Sequence, residues 1–118
     1  MGKRSLMHEL GIVAEVARIV EDIARRQQLK KIDTIVLQIG ELSSVLPYYV
    51  EQCYPAAVYG TMLENSRLKI EVLPGNGRCR CGKVFNLLQN RQVCPDCGGR
   101  EWELLGGREF LIKEIVAC

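Results

Sequence analysis

Cys79-Arg80-Cys81-Gly82-Lys83-Val84-Phe85-Asn86-Leu87-Leu88-Gln89-Asn90-Arg91-Gln92-Val93-Cys94-Pro95-Asp96-Cys97-Gly98-Gly99 decides how this chain is organised. Two pairs of cysteines stand twelve residues apart, each followed by glycine. Zn²⁺ takes four soft or borderline ligands in a tetrahedron, and two short turns that each supply two sulfurs meet that demand. Gly82 and Gly98 let the backbone fold back, so that amide N–H groups point at the thiolates and spread their charge. Four cysteines at Cys79, Cys81, Cys94 and Cys97 leave no open position for water or substrate, so the predicted site is structural. The first pair has a one-residue spacer where two is common, which makes a tighter turn. Iron in a rubredoxin-like centre, or a disulfide, remains open as an alternative occupant of the four thiols.

Outward from this stretch, Pro74-Gly75-Asn76-Gly77 reads as a turn and a domain boundary. Before it, Leu68, Ile70 and Val72 alternate with Lys69 and Glu71, which predicts a strand over 67–73. After the cysteines, Trp102–Leu105 and Phe110–Val116 read as strands separated by Gly106-Gly107. Closer to the N-terminus, Ile12, Val16, Ile19, Val20 and Ile23 recur at helical spacing among charged residues, which predicts an amphipathic helix from His8 to about Leu29. Glu21 with Arg25, and Asp22 with Arg26, are expected i,i+4 pairs on it. Ile32–Ile39 alternates as a strand rich in β-branched residues and stops at Gly40. A second helix follows, capped by Ser43 or Ser44 and expected to kink or split at Pro55. Cys53 on that helix reads as a small buried hydrophobe. The final strand is apolar enough to rejoin the first sheet. The expected class is therefore α+β: two helices and a three-stranded sheet, formed by residues 1–74 plus 109–118, with a zinc ribbon at 75–108 inserted.

Composition sets further bounds. The chain has 118 residues, 47% hydrophobic and 25% charged, which suits a folded globular protein and argues against disorder. Its formal charge is +2 with thiols neutral, and four thiolates around one Zn²⁺ bring the sum to zero. Bulk charge thus gives no reason to expect a polyanion partner. Around the cysteines, Arg78, Arg80, Lys83, Arg91 and Arg100 face only Asp96, so a zinc-ribbon module for nucleic acid or protein is the alternative reading. No apolar run is long enough to span a membrane, and no signal peptide is apparent, so paired thiols in a reducing cytoplasm are expected. The closed thiolate site, a single histidine and the lack of a P-loop or nucleophile elbow argue against an enzyme.

That histidine is His8, in Met7-His8-Glu9-Leu10. Were Met7 the first residue, its free amine, the amide nitrogen of His8 and the imidazole would form a square-planar nitrogen chelate suited to Ni²⁺ or Cu²⁺ rather than Zn²⁺. Glu9 could add a backbone nitrogen or a carboxylate.

With these residues in hand, the sequence resembles the HypA/HybF family of hydrogenase-maturation nickel chaperones. The resemblance rests on MHEL at Met7–Leu10, IGEL at Ile39–Leu42, Gly60-Thr61, the strand Leu68–Glu71 and CPDCG at Cys94–Gly98. It covers Met7 to Val116. It implies a nickel site at His8 and Glu9, with Met7 where its amine is free, and zinc on Cys79, Cys81, Cys94 and Cys97. It also implies a HypB-type GTPase partner and delivery of Ni²⁺ to the large subunit of [NiFe] hydrogenase, in some members also to urease. Six residues precede Met7 and tie up the amine in a peptide bond. Either a monomer or a homodimer is compatible, including one that exchanges the last strand across Gly75-Asn76-Gly77.

Overall fold

The computed structural model describes the backbone from Gly2 to Cys118 and side chains from Met7 onward. Its first element, α1 (Gly2–Arg26), begins six residues before the expected start. Val13, Val16, Ala17, Val20 and Ala24 turn one stripe into the core, each at most 4% exposed. On the solvent side Arg18 pairs with Glu15 at 2.6 Å. Asp22 takes both Arg25 (3.3 Å) and Arg26 (3.1 Å), so the expected Glu21–Arg25 pair is replaced by an i,i+3 contact. The helix stops at Arg26, slightly short of the expected end, because Gln28 enters the left-handed region (φ 56°) and the Leu29 N–H returns to the Ala24 carbonyl at 2.9 Å.

β1 (Ile32–Gly40) is the middle strand of the first sheet. β2 (Arg67–Leu73) runs parallel to it, from Thr34 opposite Arg67 to Gly40 opposite Leu73. On the other side lies antiparallel β6 (Phe110–Ala117), the strand expected to rejoin this sheet. Ile35, Leu37 and Ile39 are fully buried beneath the helices, as expected of the alternation. α2 (Pro47–Val58) makes the crossover from β1 to β2. It runs through Pro55 without the split that this residue could cause. The ring is exposed in the last turn, and only one helical bond, to the carbonyl of exposed Glu51, is forgone.

Neither serine caps α2. The Ser43 hydroxyl instead accepts the Val45 N–H at 3.3 Å and closes the loop on itself, while the N-cap position belongs to Leu46. Cys53 is buried on the inner face of α2, as its reading predicts.

The second sheet is β4-β3-β5, built from β3 (Asn76–Cys79), β4 (Val84–Asn86) and β5 (Trp102–Leu104). Asn76-Gly77, expected in a turn, opens β3 instead. Gly77 fits closely there, since a Cβ would approach Leu87 Cδ2 to 2.9 Å and that side chain would have to shift. The two sheets meet where β1 ends: Gly40 N–H donates to the Glu109 carbonyl and Leu42 N–H to that of Gly107, both at 2.7 Å. A Cβ on Gly40 would stand 2.1 Å from the Gly107 oxygen, so only glycine permits this approach. Leu42 packs with Phe85 and Leu87, and Glu41 accepts the Asn86 amide at 3.3 Å. The Cα radius of gyration is 17.6 Å, against about 13.5 Å for a sphere-like chain of this length, so the molecule is elongated.

Candidate metal centres

The four paired cysteines come from two turns. Cys79 ends β3 and Cys81 follows it, with Gly82 at φ 98° donating its N–H to the Cys79 carbonyl. Cys94 and Cys97 flank Pro95-Asp96, with Gly98 at φ 74° donating back to the Cys94 carbonyl. The sulfurs all lie within 4.8 Å of one another. Cys79 Sγ is 3.5 Å from Cys97 Sγ, and Cys81 Sγ 3.7 Å from Cys94 Sγ. A tetrahedron with Zn–S bonds of about 2.3 Å has edges of about 3.8 Å, so the donor set and its spacing suit zinc. None of the six cysteines forms a disulfide, which sets aside that alternative for these thiols. The one-residue spacer does not keep Cys81 from converging.

Backbone amides do surround these thiols. Burial opposes ionisation of Cys94, but the N–H groups of Cys97 and Asp96 bring its thiol down to about 7. Gly99 N–H lies 3.4 Å from Cys97 Sγ. Cys79 and Cys94 are buried with Phe85 and Leu87, whereas Cys81 and Cys97 face solvent. Phe85 is thus a core plug rather than a platform for bases.

The N-terminal candidates are arranged differently. Met7 and His8 are exposed on the second turn of α1, while Glu9, one residue on, is fully buried. The helix turns each residue by about 100°, which sends the His8 imidazole outward and the Glu9 carboxylate inward. Glu9 Oε2 accepts the Leu46 N–H at 2.7 Å, and Glu9 Oε1 has no hydrogen-bond partner among the described residues. Glu9 therefore does what neither serine does: it takes one otherwise unsatisfied donor, the Leu46 N–H, at the start of α2, where the helix dipole favours a negative charge. Its carboxylate adds to the burial that pushes the Cys53 thiol up. Nothing in local sequence spacing announces a contact between residues 37 positions apart. Since α1 runs through Met7 and His8, their amides lie in helical backbone, and a chelate through the His8 amide requires this turn to open. Among the described residues the four cysteines are the one group of three or more His, Cys, Asp or Glu placed to share a metal ion.

Fold and centre together define a small α+β protein with a closed thiolate site, built to handle metal. Comparison with known proteins agrees. Residues 7–117 match the family model described as HypA, hydrogenase/urease nickel incorporation, metallochaperone. The chain is 39% identical over 110 residues to the hydrogenase maturation factor HypA of Geobacter sulfurreducens, covering 92% of this chain and 97% of that protein. The HypA of Dechloromonas aromatica is 36% identical over the same shares. In fold, the solution structure of the Ni metallochaperone HypA from Helicobacter pylori is similar at a TM-score of 0.63 and 20% identity, over 92% of this chain and 96% of that one. A second solution structure of a HypA protein gives 0.67 at 22% identity, over 95% and 97%. The chain belongs to the HypA family of nickel metallochaperones for hydrogenase maturation. Among the described residues no helix is long and apolar enough to cross a membrane.

Proposed function

We propose that the chain carries structural zinc on Cys79, Cys81, Cys94 and Cys97, and takes up Ni²⁺ at its N-terminal turn through the His8 imidazole. The amine of Met7 and the backbone of Glu9 complete that site once residues before Met7 no longer hold the amine in a peptide bond. The family match begins at Met7, the residue whose amine the chelate needs. Cargo held on an exposed helix end can leave by ligand exchange, which a donor requires. The recipient fits a HypB-type GTPase and, through it, the large subunit of [NiFe] hydrogenase, in the cytoplasm. No reaction is catalysed: the zinc centre is closed, and one histidine has no partner base. Residues 1–74 with 109–118 form the nickel-handling unit and 75–108 the zinc unit.

The observation that carries this reading is the contrast between a converged four-sulfur cluster, with Cys79 and Cys94 buried, and a solvent-facing lone imidazole on α1. Nucleic-acid binding is disfavoured because Arg78 and Arg80 are each spent on an acid, Glu103 at 2.7 Å and Glu101 at 3.3 Å. Nickel titration by calorimetry and absorption spectroscopy tests the proposal on three proteins: this chain, a version beginning at Met7, and that version with His8→Ala. Tight binding with a square-planar absorption band is expected only for the second. Equal affinity in all three would sink the nickel assignment.

A further inference from the structure

Along its outer edge β6 has no neighbouring strand among the described residues. The flank of α1 overhangs that edge, and beneath it lies a groove in two parts, the first mainly apolar and the second of mixed polarity. One part, of about 560 Å³, is lined by His8, Ile12 and Ile19 of α1 with Phe110 and Ile112 of β6. The other, of about 440 Å³, is lined by Gln27 and Leu29 with Ile112, Lys113, Glu114 and Ile115. Ile112 borders both, so the two parts together flank the strand on the side where a fourth strand would lie.

The edge strand itself indicates what fits there. Phe110-Leu111-Ile112-Lys113-Glu114-Ile115-Val116-Ala117 reads as three apolar residues, a cation, an anion and three apolar residues. Reversed, it is its own complement. We propose that β6 pairs antiparallel with β6 of a second copy of this chain, about a two-fold axis between Lys113 and Glu114. In that register Lys113 faces the partner's Glu114, Ile112 the partner's Ile115, and Leu111 the partner's Val116.

Three observations select this register. Phe110, Ile112, Ile115 and Ala117 pack on the core side, so core-facing residues meet core-facing residues. Leu111 and Val116, on the open face, are 41% and 40% exposed as the chain stands, and each covers the other. A bulge in the pairing with β1, between Ile112 and Glu114, keeps both halves of the strand in phase about the axis. A slip of one residue either way sets Lys113 against Lys113 or Glu114 against Glu114, with isoleucine against charge. Charges and bulges commonly guard an edge by repelling its own copies. Here the two-fold turns the guard into an attraction. Lys113 keeps its bond to Glu71 (3.0 Å) and still has an N–H for the partner's Glu114. The three-stranded sheet becomes one of six strands, with the partner's Ala117 and Cys118 brought to the His8 end of the groove.

Sedimentation equilibrium on the zinc-loaded full chain tests this without reference to nickel. All charge variants are made in a Glu71→Gln background, so that the intrachain bond of Lys113 does not differ among them. Glu71→Gln alone is expected to dimerise. Adding Lys113→Glu sets like charges face to face across the axis, and the dimer weakens by at least about tenfold. Adding Glu114→Lys to that variant restores it. Circular dichroism checks that each protein is folded, which is expected because both residues are exposed. A monomer at every concentration overturns the proposal. So does a dimer indifferent to Lys113→Glu, which would use another surface such as an exchanged strand, or a double charge swap that stays weak.

Discussion

The two sheets of this molecule are held together by different physics. Around β1 the core is, among the described residues, fifteen buried residues drawn from both helices, the sheet and the loops beside α2, nearly all aliphatic. Around β3 it is four, and two of those, Cys79 and Cys94, belong to the thiolate cluster. Removing the second region's metal leaves Phe85 and Leu87, flanked by Leu42, Trp102 and Leu104, as its whole apolar support. So small a core cannot offset the entropy of ordering about thirty residues, whereas metal ligation can. A chain may thus carry one part that folds by excluding water and another that folds by binding an ion.

The comparison breaks most visibly at the ion. Chelation of zinc, or Cys94→Ala, is expected to unfold the β3–β5 region while the helical signal of α1 and α2 persists. Structural zinc sites contribute on the order of 10 kcal/mol, so no side-chain change elsewhere should match this. Trp102 is the sole tryptophan and donates to the Gln92 carbonyl, so its fluorescence reports that region alone. Retained native fluorescence after chelation would refute the difference in mechanism. Acid should act in the same way, because the ligands must be thiolates.

A smaller effect of opposite location is expected from Leu37→Ala. It removes a fully buried side chain from the centre of the first core, at a cost of about 3 kcal/mol. Thermal melts followed at the helical band should shift down, with zinc content unaltered. Loss of zinc in this variant would mean that the regions fold as one. The least effect comes from Glu71→Gln. The Gln38 amide and then Lys113 hold the Glu71 carboxyl below its ordinary range. Its contribution is therefore complete above the ordinary carboxylate value and disappears as pH falls through the lowered one. The variant should melt slightly lower than wild type at neutral pH and identically in strong acid.

Periodicity made the first region readable. Of the helical stripe read at Ile12, Val16, Ile19, Val20 and Ile23, Val16 and Val20 are buried, while the three isoleucines lie half-buried at the flank and Val13, Ala17 and Ala24 complete the core. Ile35, Leu37 and Ile39 repeat as a strand must, because one solvent-excluded face imposes the spacing. The thiolate cluster was legible for another reason, since ligand geometry restricts spacing as tightly as packing does. What local pattern did not reveal depends on distant partners. β4, at three residues, is too short to show alternation. Glu9 looks like one more polar residue on a helix, and only the Leu46 amide, brought near by the crossover, explains its burial. Ser43 has the right chemistry for a cap but bonds within its own loop. Pro55 has the signature of a break, yet a final exposed turn tolerates it. For the N-terminal candidates the pattern named residue types, while the helix decides which way each side chain points.

The place of β6 in the chain has a consequence for biosynthesis. Its partner β1 lies far upstream, with Ile32 opposite Ala117, and the whole cysteine segment is translated between them. On the ribosome, one side of β1 stays bare while that segment emerges, so the ribbon can acquire its ion before the sheet is complete. Closing so long a loop is the slow, non-local event of assembly, and bringing the strand's ends together beforehand shortens the search. Metal supply during synthesis should therefore govern how quickly the final strand finds its place.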